Sequence, residues 1–227
     1  MTTPKPLARS ASTPPHPASP LVILGLAGGS GAGKTWLATE LVRLLRPHAG
    51  ILSLDDFYRD LGALPTSRRD RVNFDTPDAI DWELLDACLD RIRSGRPVAI
   101  PRYDFTTHSR LDPPRRWTPK PIVVVEGLWP WTRRPQQRHY NLRLYIDAPT
   151  DLRLTRRLAR DVAERGRTPA SIRRQWREAV EPMFTKHVKP QALTADAILG
   201  PEPCPDDLSP LINLIRQLAG LPPAAHP

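Results

Sequence analysis

Residues 28–35 read GGSGAGKT, and this glycine-rich segment constrains the fold of the chain more than any other feature. Gly28, Gly33, Lys34 and Thr35 satisfy the pattern GxxxxGK followed by Ser or Thr. Glycines at these positions let backbone N–H groups turn inward around phosphate oxygens, the lysine reaches the outer phosphates, and the threonine hydroxyl is a ligand for Mg²⁺. The helix that begins there adds the positive end of its dipole. The segment therefore predicts a site for the phosphates of a nucleotide.

Apolar segments flank the glycines on both sides. Residues 21–26 form a short apolar run that is typical of a buried parallel strand. Apolar residues then recur at helical spacing over 34–46, and Pro47 ends that segment. A strand before the loop and a helix after it favour phosphate binding over the alternative, a glycine-rich turn without a ligand.

The rest of the chain alternates between strand-like and helix-like segments. The predicted strands are 51–54, 98–100, 122–125, 142–146 and 197–199. The predicted helices are 79–94 with Gly95 as its C-cap, 151–165, a helix from about 171, and 208–218, while 101–120 reads as irregular. This alternation predicts an α/β fold with a mainly parallel sheet and flanking helices. In such sheets ligands gather at the carboxyl ends of the strands.

A chain of 227 residues suits one α/β domain, which we place at 21–220. Residues 1–20 are rich in Pro, Ser and Thr and lack the apolar core of a signal peptide, so we predict a disordered tail there and a flexible tail at 221–227. No apolar run approaches the roughly 18 residues needed to cross a membrane. Cys88 falls on the apolar face of a predicted helix, as a buried thiol in a reducing cytoplasm would, so we expect a cytoplasmic protein.

The formal net charge of +9 raises the question of nucleic-acid binding. Lysines are few, and the charge comes mostly from arginines, with a local concentration at 153–177. The planar fork of arginine matches phosphate oxygens, so an enzyme of polyphosphate substrates needs the same residues. We therefore expect a small phosphate-bearing ligand and no nucleic-acid partner.

Carboxylates follow two of the predicted strands. Glu126 comes directly after 122–125, where a carboxylate can bind Mg²⁺ directly or through water, or can simply be a solvated strand end. Asp55 and Asp56 end the second strand in LSLDDFYR. Phosphoryl transfer to an alcohol needs a group that aligns the hydroxyl and accepts its proton, and a carboxylate opposite the phosphate loop does this. The residues by themselves do not choose between Asp55 and Asp56.

Taken together, these segments resemble the uridine kinase branch of the phosphoribulokinase/uridine kinase family of P-loop kinases. The resemblance runs from about residue 21 to residue 199. Its marks are GGSGAGKT, LSLDDFYR, NFDTPDAID (73–81), IPRYDFTTHSR (100–110), VVVEG (123–127), RLTRRLARDVAERGR (153–167) and Gln175. It implies a P-loop kinase fold with a nucleoside-binding insertion and an arginine-rich lid.

The resemblance also implies roles for individual residues. It makes Asp55, rather than Asp56, the catalytic carboxylate, together with Lys34. The implied donor-nucleotide site consists of Gly28, Ser30, Gly31, Ala32, Gly33, Lys34, Thr35, Arg160 and Arg165. The implied nucleoside site consists of Tyr58, Asp75, Tyr103, Phe105, His108, Arg157, Arg167 and Gln175. The implied Mg²⁺ ligands are Thr35, Asp55 and Glu126.

Elementary chemistry agrees with the nucleoside assignments. Asp75 is an acceptor-only partner for two ribose hydroxyls, and the rings of Tyr103 and Phe105 offer flat faces to a pyrimidine. His108 can donate or accept according to its tautomer, so it suits both uracil and cytosine. The alternatives are ordinary core positions for Tyr103 and Phe105 and a surface loop for His108.

The arginine run at 153–167 has two interpretations. It could be a solvated helix face that pairs with nearby acidic residues. However, Gly166 and Pro169 interrupt the helix beside Arg165 and Arg167, as a hinged lid requires. Lid arginines stabilise the charge of a transferring phosphoryl group and exclude water.

The expected activity is transfer of the γ-phosphate of ATP or GTP, with Mg²⁺, to the 5′-hydroxyl of uridine or cytidine, and the resemblance implies a homotetramer. The alternatives are a kinase for nicotinamide riboside, pantothenate or a phosphorylated sugar, and a non-catalytic nucleotide- or RNA-binding protein. Two departures from the family pattern stand out. Trp36 replaces a small or polar residue, and GPEPCPDD (200–207) replaces a basic residue and an Asn, which leaves the adenine contacts open.

Overall fold

A computed structural model of the chain describes residues 21–69 and 72–223. These residues form the strands β1 (Val22–Gly28), β2 (Ala49–Ser53), β3 (Val98–Asp104), β4 (Ser109–Trp117), β5 (Ile122–Gly127), β6 (Leu142–Ile146) and β7 (Ala197–Leu199). The α-helices are α1 (Lys34–Leu44), α2 (Thr66–Arg69), α3 (Trp82–Arg93), α4 (Arg134–Gln137), α5 (Thr150–Arg165), α6 (Pro169–Gln175), α7 (Glu181–Met183) and α8 (Pro205–Leu218). There are also 3-10 segments at Leu54–Phe57, Pro77–Ala79 and Lys189–Thr194 and π-helical segments at Trp176–Val180 and Phe184–Val188.

Five strands form one parallel sheet in the order β2–β5–β1–β6–β7. Every residue of β1 and β5 is buried, because helices cover both faces of the sheet, and these strands therefore lack a polar alternation. On one face, α1 and α8 contribute apolar side chains such as Leu37 and Ile215. On the other face, α3 and β3 contribute Leu85 and Ile100. The mainly parallel α/β sheet expected from the sequence is confirmed.

The carboxyl ends of β2, β5 and β1 lie side by side. The strand register pairs Ser53, the last residue of β2, with Glu126 in β5, and it pairs Gly127 with Ala27 in β1. The glycine-rich loop leaves this same edge between β1 and α1. Asp55 follows β2 in a short 3-10 turn at that edge. The topology thus brings the phosphate loop and both predicted carboxylates to one side of the sheet.

The segment at 101–120, predicted to be irregular, is largely a β-hairpin, and that prediction was wrong. β3 and β4 pair antiparallel over 98–117, with a register shift between Ile100 and Arg102. Pro113 and Pro114 interrupt the apolar alternation in the sequence, yet they are tolerated because β4 is an exposed strand of a two-stranded sheet. For this reason the sequence pattern did not predict the hairpin.

Several element boundaries differ from the predictions. The helix expected over 79–94 begins only at Trp82, because the Asp81 side chain caps it by accepting from the Leu84 N–H at 3.2 Å. Gly95 has φ 66°, which fits its predicted place at the helix end. The strand expected over 51–54 ends at Ser53.

The second half of the chain is more helical than the sequence indicated. The helix expected from 171 begins at Pro169 and continues through short π, α and 3-10 segments to Thr194. The helix expected at 208–218 begins at Pro205. The helix expected at 151–165 is α5, and Gly166 ends it with φ 60°.

The predicted tail at 1–20 lies outside the described residues, as does 224–227 of the predicted C-terminal tail. Cys88 is buried in the core, as expected. Within the described ranges, no helix has both the length and the apolar character that a membrane span requires.

Candidate active site

The phosphate loop is a tight turn packed against α5. Gly31 and Gly33 have φ 78° and 104°, values that favour glycine. A Cβ on Gly31 would overlap the carbonyl oxygen of Arg153, so the loop and α5 touch without room for a side chain. The Lys34 ammonium donates to the carbonyl of Gly29 at 3.0 Å. Positive φ values of this kind occur in the backbone concavities that bind anions.

Two carboxylates face this lysine. The Ser53 hydroxyl donates to Glu126 Oε1 at 2.7 Å and accepts from the Asp55 N–H at 3.4 Å, so Ser53 links both residues. Burial raises the pKa of Asp55, while the charge of Lys34 opposes the shift. Burial also raises the pKa of Glu126, and the nearby Asp55 charge adds to that shift. A cation between these carboxylates would relieve their repulsion.

Asp56 points to different surroundings. Its Oδ2 lies 3.9 Å from Arg115 Nη2 on β4. Burial raises the pKa of Asp56, and the charge of Arg115 opposes the rise. Asp55, in contrast, feels the charges of Lys34 and Arg160. Of the two adjacent carboxylates, Asp55 is thus the one beside the phosphate loop.

The donor set at this edge fits a magnesium ion. No group of three His, Cys, Asp or Glu side chains within 21–69 and 72–223 is arranged as a metal site. Mg²⁺, however, usually takes one or two carboxylates and completes its shell with phosphate oxygens and water. Asp55, Glu126 and the Thr35 hydroxyl at the start of α1 are donors of that kind.

Asp75 lies across the cleft from the phosphate loop, and a chain of side chains joins the two. The Ser30 hydroxyl accepts from Arg157 Nη1 at 2.9 Å, and Arg157 Nη2 donates to Gln175 Oε1 at 3.0 Å. Gln175 Nε2 then donates to Asp75 Oδ2 at 3.3 Å. Arg167 Nη1 donates to the same Gln175 oxygen at 2.6 Å. Ser30 and Asp75 also line one small cavity.

Aromatic rings form the wall next to Asp75. The ring centroid of Tyr58 lies 5.3 Å from that of Tyr103 and 5.9 Å from that of Phe105. Tyr103, like Tyr58, belongs to the core, so the ordinary-core interpretation holds for Tyr103, whereas Phe105 is 39% exposed and does not fit it. The guanidinium of Arg165 lies over the Phe105 ring at 5.0 Å. Arg165, which we expected on the donor side, thus also reaches this wall.

His108 is stacked on Phe74. The two ring centroids are 4.4 Å apart and the planes differ by 14°. His108 has φ 52°, a conformation uncommon for a side-chain-bearing residue, in the turn of the β3–β4 hairpin. The Phe74 carbonyl also accepts a hydrogen bond from the Tyr58 hydroxyl at 3.1 Å. The hairpin and the segment at 73–81 therefore meet at one aromatic cluster.

These segments are those of one protein family. A model of the phosphoribulokinase/uridine kinase family matches residues 23–206. The chain belongs to the phosphoribulokinase/uridine kinase family. A uridine kinase of Chloroflexus aggregans is 40% identical over 178 residues, which cover 78% of this chain and 85% of that protein. A uridine kinase of Deinococcus deserti is 38% identical over 178 residues, covering 78% of this chain and 86% of that protein.

Solved structures agree with the fold of the family. A Silicibacter protein superposes with a TM-score of 0.67 at 16% identity, covering 83% of this chain and 93% of its own. The phosphoribulokinase of Rhodobacter spheroides superposes with a TM-score of 0.60 at 15% identity, covering 80% of this chain and 70% of its own. At these identities the likeness concerns the fold alone.

The arginine run is a solvated helix face only in part. Arg153 is 1% exposed and Arg157 is 5% exposed, so their burial contradicts that alternative, whereas Arg160 and Arg165 are partly exposed and pair with Asp161. Arg153 lies with its guanidinium 3.8 Å from the Phe184 ring centroid and 3.0 Å from Glu181 Oε2. A Cβ on Gly29 would lie 2.7 Å from Arg153 Nη1, so this arginine packs directly against the phosphate loop.

Sequence reasoning missed several residues of this region. Phe74 is the second residue of the family segment NFDTPDAID, and its aromatic side chain was the sequence feature that could have marked it as part of the site. Trp129 follows the predicted strand of Glu126 and lines the cavity beside Asp75, but the sequence gives no periodicity there that would mark it. Asp161 sits inside the arginine run, where its burial is visible only in the fold.

The segment after β7 lies against the phosphate loop. Arg156 Nη1 donates to the carbonyls of Ala32 and Pro201, both at 3.4 Å, and its Nη2 bonds to Glu202 at 2.5 Å. Trp36, the other departure from the family pattern, is 53% exposed on α1. The unusual segment 200–207 is thus held next to the loop by an arginine of α5.

Proposed function

We propose that this chain transfers the γ-phosphate of ATP to the 5′-hydroxyl of a pyrimidine ribonucleoside, giving UMP from uridine and CMP from cytidine. The observation that carries the proposal is the connection of the phosphate loop to Asp75 through Arg157 and Gln175. Donor phosphates and an acceptor held by Asp75 would face each other across one cleft. The names of the curated relatives support the same activity.

Asp55 is the proposed catalytic carboxylate. It aligns the 5′-hydroxyl and accepts its proton as the oxygen attacks the γ-phosphorus and the bond to the β-phosphate oxygen breaks. Lys34, Arg160 and Arg165 offset the negative charge that accumulates on the phosphates. The chain's own groups thus supply alignment, a proton acceptor and charge stabilisation.

Mg²⁺, when bound with the nucleotide, would neutralise charge on the β- and γ-phosphates. Thr35, Asp55 and Glu126 are the residues that would hold it. The residues at 28–35 would bind the triphosphate through backbone N–H groups, whether the donor is ATP or GTP. Because such an enzyme needs ATP and Mg²⁺, the cytoplasm is the proposed place of action.

Asp75 is the proposed partner of the ribose. In the structure, Gln175 donates to one of its oxygens, and Arg157 lies 4.0 Å from the other. The two ribose hydroxyls are donors that can take these oxygens on binding. The rings of Tyr103 and Phe105 and the His108–Phe74 stack offer flat surfaces for the pyrimidine.

A panel of acceptors tests the proposal. The purified chain is incubated with ATP and Mg²⁺ and with uridine, cytidine, nicotinamide riboside, pantothenate or a phosphorylated pentose, and products are identified by mass. We expect UMP and CMP with one ADP per product. A pantothenate or sugar product with inert nucleosides would refute the proposal. Salt-sensitive RNA binding without any turnover would favour the non-catalytic alternative.

The resemblance also leads us to propose a homotetramer. Light scattering on a size-exclusion column would give four times the chain mass of 25.5 kDa. A mass equal to that of a single chain would contradict this proposal without affecting the catalytic one.

A further inference from the structure

Asp161 is a fully buried carboxylate in α5, and four arginines surround it. Its side chain is 0% exposed. Arg160 Nε and Nη2 donate to Asp161 Oδ1 at 2.9 and 2.8 Å, and Arg165 Nε lies 3.8 Å from the same oxygen. Arg157 Nε and Arg167 Nη1 each lie 3.4 Å from Oδ2. The two oxygens of one carboxylate thus serve two different pairs of arginines.

Together the four arginines reach both ends of the cleft, and Arg157 also donates to the Ser30 hydroxyl in the phosphate loop at 2.9 Å. Arg157 and Arg167, on Oδ2, both donate to Gln175, which reaches Asp75. On Oδ1, the charges of Arg165 and Arg160 oppose the rise that burial gives the pKa of Asp55, and the Arg165 guanidinium also lies over the Phe105 ring at 5.0 Å. Asp161 therefore stands between the nucleoside side and the phosphate side.

The backbone of Asp161 also holds the residues that follow α5. Its carbonyl accepts from the Gly166 N–H at the end of α5 and from the Arg167 N–H at 3.1 Å. Arg167 is therefore tied to Asp161 through both its main chain and its side chain.

Electrostatics explains why a carboxylate lies at this position. Arginine keeps its charge at any pH that the protein meets, so four guanidinium groups around one point repel each other unless an anion lies between them. A carboxylate can accept from both pairs at once, and hydrogen bonds between charged partners restrict the guanidinium planes. Groups fixed before the reaction stabilise transition-state charge without a reorganisation cost.

We propose that Asp161 is a positioning residue, which orients Arg160 and Arg165 toward the transferring phosphoryl group and Arg157 and Arg167 toward the nucleoside. It acts through these arginines and does not touch either substrate. The inference rests on the proposed nucleoside kinase activity and assigns a separate role within it.

The isosteric variant Asp161→Asn tests the role, because an amide keeps one acceptor oxygen and presents an NH₂ donor to the other arginine pair. We expect kcat to fall about 10–100-fold, less than the roughly 10²–10³-fold cost of removing a group that stabilises transition-state charge, because the arginines are misoriented and not lost. We expect KM for uridine to rise at least fivefold, since the nucleoside pair is disturbed too. Glu164→Gln is the matched control, because it removes an exposed carboxylate from the same helix, and it should leave both constants within twofold.

Double-mutant cycles distinguish positioning from a general structural role. Asp161→Asn is combined with Arg160→Ala and, separately, with Arg167→Ala. If Asp161 acts through Arg160, its loss in kcat shrinks at least fivefold in the Arg160→Ala background. Its effect on KM for uridine should shrink likewise in the Arg167→Ala background. Full multiplicative losses in both cycles would overturn the proposal.

Two further measurements complete the test. Melting curves establish that the variants are folded; if Asp161→Asn is not, Asp161→Glu, which keeps the charge but displaces it by one methylene, should still lower kcat more than fivefold. Unchanged kinetics in the folded variant would contradict the role of Asp161 while the wild-type enzyme still converts uridine to UMP. No nucleoside turnover by the wild-type chain would overturn the proposed function, and the inference with it.

Discussion

Adjacent carboxylates at Asp55 and Asp56 meet different neighbours within one turn of chain. Asp55 lies among Lys34, Arg160 and Glu126, whereas Asp56 pairs weakly with Arg115 of the hairpin. Asp55 therefore lies beside the phosphate loop, whereas Asp56 lies beside a surface strand. This contrast provides a matched pair of variants.

Asp55→Asn should lower kcat by about 100–10,000-fold, because the proton acceptor of the attacking hydroxyl is lost and a positioned base contributes about 10²–10⁴-fold. The Kd for a non-hydrolysable ATP analogue should stay within about threefold, since the loop at 28–35 is intact. Steady-state kinetics and calorimetry measure the two quantities. Asp56→Asn is the control and should retain kcat within about threefold. Wild-type turnover in Asp55→Asn would remove Asp55 from the mechanism.

Asp161 also makes stability depend on pH. Burial raises its pKa, but the hydrogen bonds and charges of Arg160 and the other arginines outweigh burial, so the pKa lies below its ordinary value. A carboxylate with a lowered folded-state pKa stabilises the fold fully above its unfolded-state pKa of about 3.9, and this stability is lost as the pH falls through the folded-state value.

Asp161→Asn should therefore be less stable than the wild type by about 1–3 kcal/mol at pH 7, because the variant leaves the buried Arg157 and the three partly exposed arginines without their shared anion. The difference should shrink as the pH falls below about 4. Urea denaturation at pH 7, 5, 4 and 3 measures it, with Glu164→Gln as the reference. A difference that grows toward acid pH would mean that the folded-state pKa is raised.

At the scale of the elements, the end of β5 and the turn after β2 must touch without a side chain between them. A Cβ on Gly127 would overlap Leu54 Cβ and lie 3.0 Å from its Cδ2. Leu54 opens the 3-10 turn that carries Asp55. The contact between these two elements therefore sets the position of the proposed catalytic carboxylate.

Gly127→Ala should destabilise the protein by about 1–3 kcal/mol, the usual cost of overpacking a core contact. It should also reduce kcat, because the turn that holds Asp55 must shift. Thermal melting and kinetics on the same preparation measure both effects. Gly200→Ala is the control, since a Cβ there would meet no atom within 4 Å, and it should change stability by less than about 0.5 kcal/mol. Equal stability of the two variants would contradict the steric argument.

At the scale of the whole molecule, the family match begins at residue 23, and β1, which starts at Val22, is fully buried in the sheet. The Pro-rich stretch at 1–20 precedes this strand. We therefore propose that the catalytic domain begins at about residue 21.

Removal of residues 2–19 should leave kcat and KM for uridine within about twofold and the melting temperature within about 2 °C, because no core strand is shortened. A second deletion that continues into β1, through Leu24, should yield no folded protein, since these strand residues are 0–2% exposed. Comparable loss of activity in both deletions would show that the tail takes part in folding or catalysis.

The sequence by itself determined the local chemistry of the phosphate loop. Gly31 and Gly33 are required where φ is positive, and the apolar strand and helix around them follow from short-range patterns. The parallel sheet followed as well, because strands alternating with helices have few other arrangements. With the family resemblance, the sequence alone also assigned the segments that bear Asp55, Asp75 and Glu126 to the active site.

Only the tertiary structure decided the pairing of the hairpin strands, the surroundings of Asp55 and Asp56, and the burial of Asp161, because each depends on tertiary packing. Proline and arginine in 101–120 obscure the alternation of the β3–β4 hairpin, whose strands form through pairing with each other and not through the propensity of either strand alone. The fold also separated Asp55 from Asp56, since a short 3-10 turn, invisible to periodicity, orients the two side chains. The burial of Asp161 among four arginines has no sequence signal, because exposed and buried helix faces carry the same charged residue types in 153–167. Sequence patterns report local spacing, whereas burial depends on segments far apart in the chain, as when Ser30 and Asp75 both lie against Arg157.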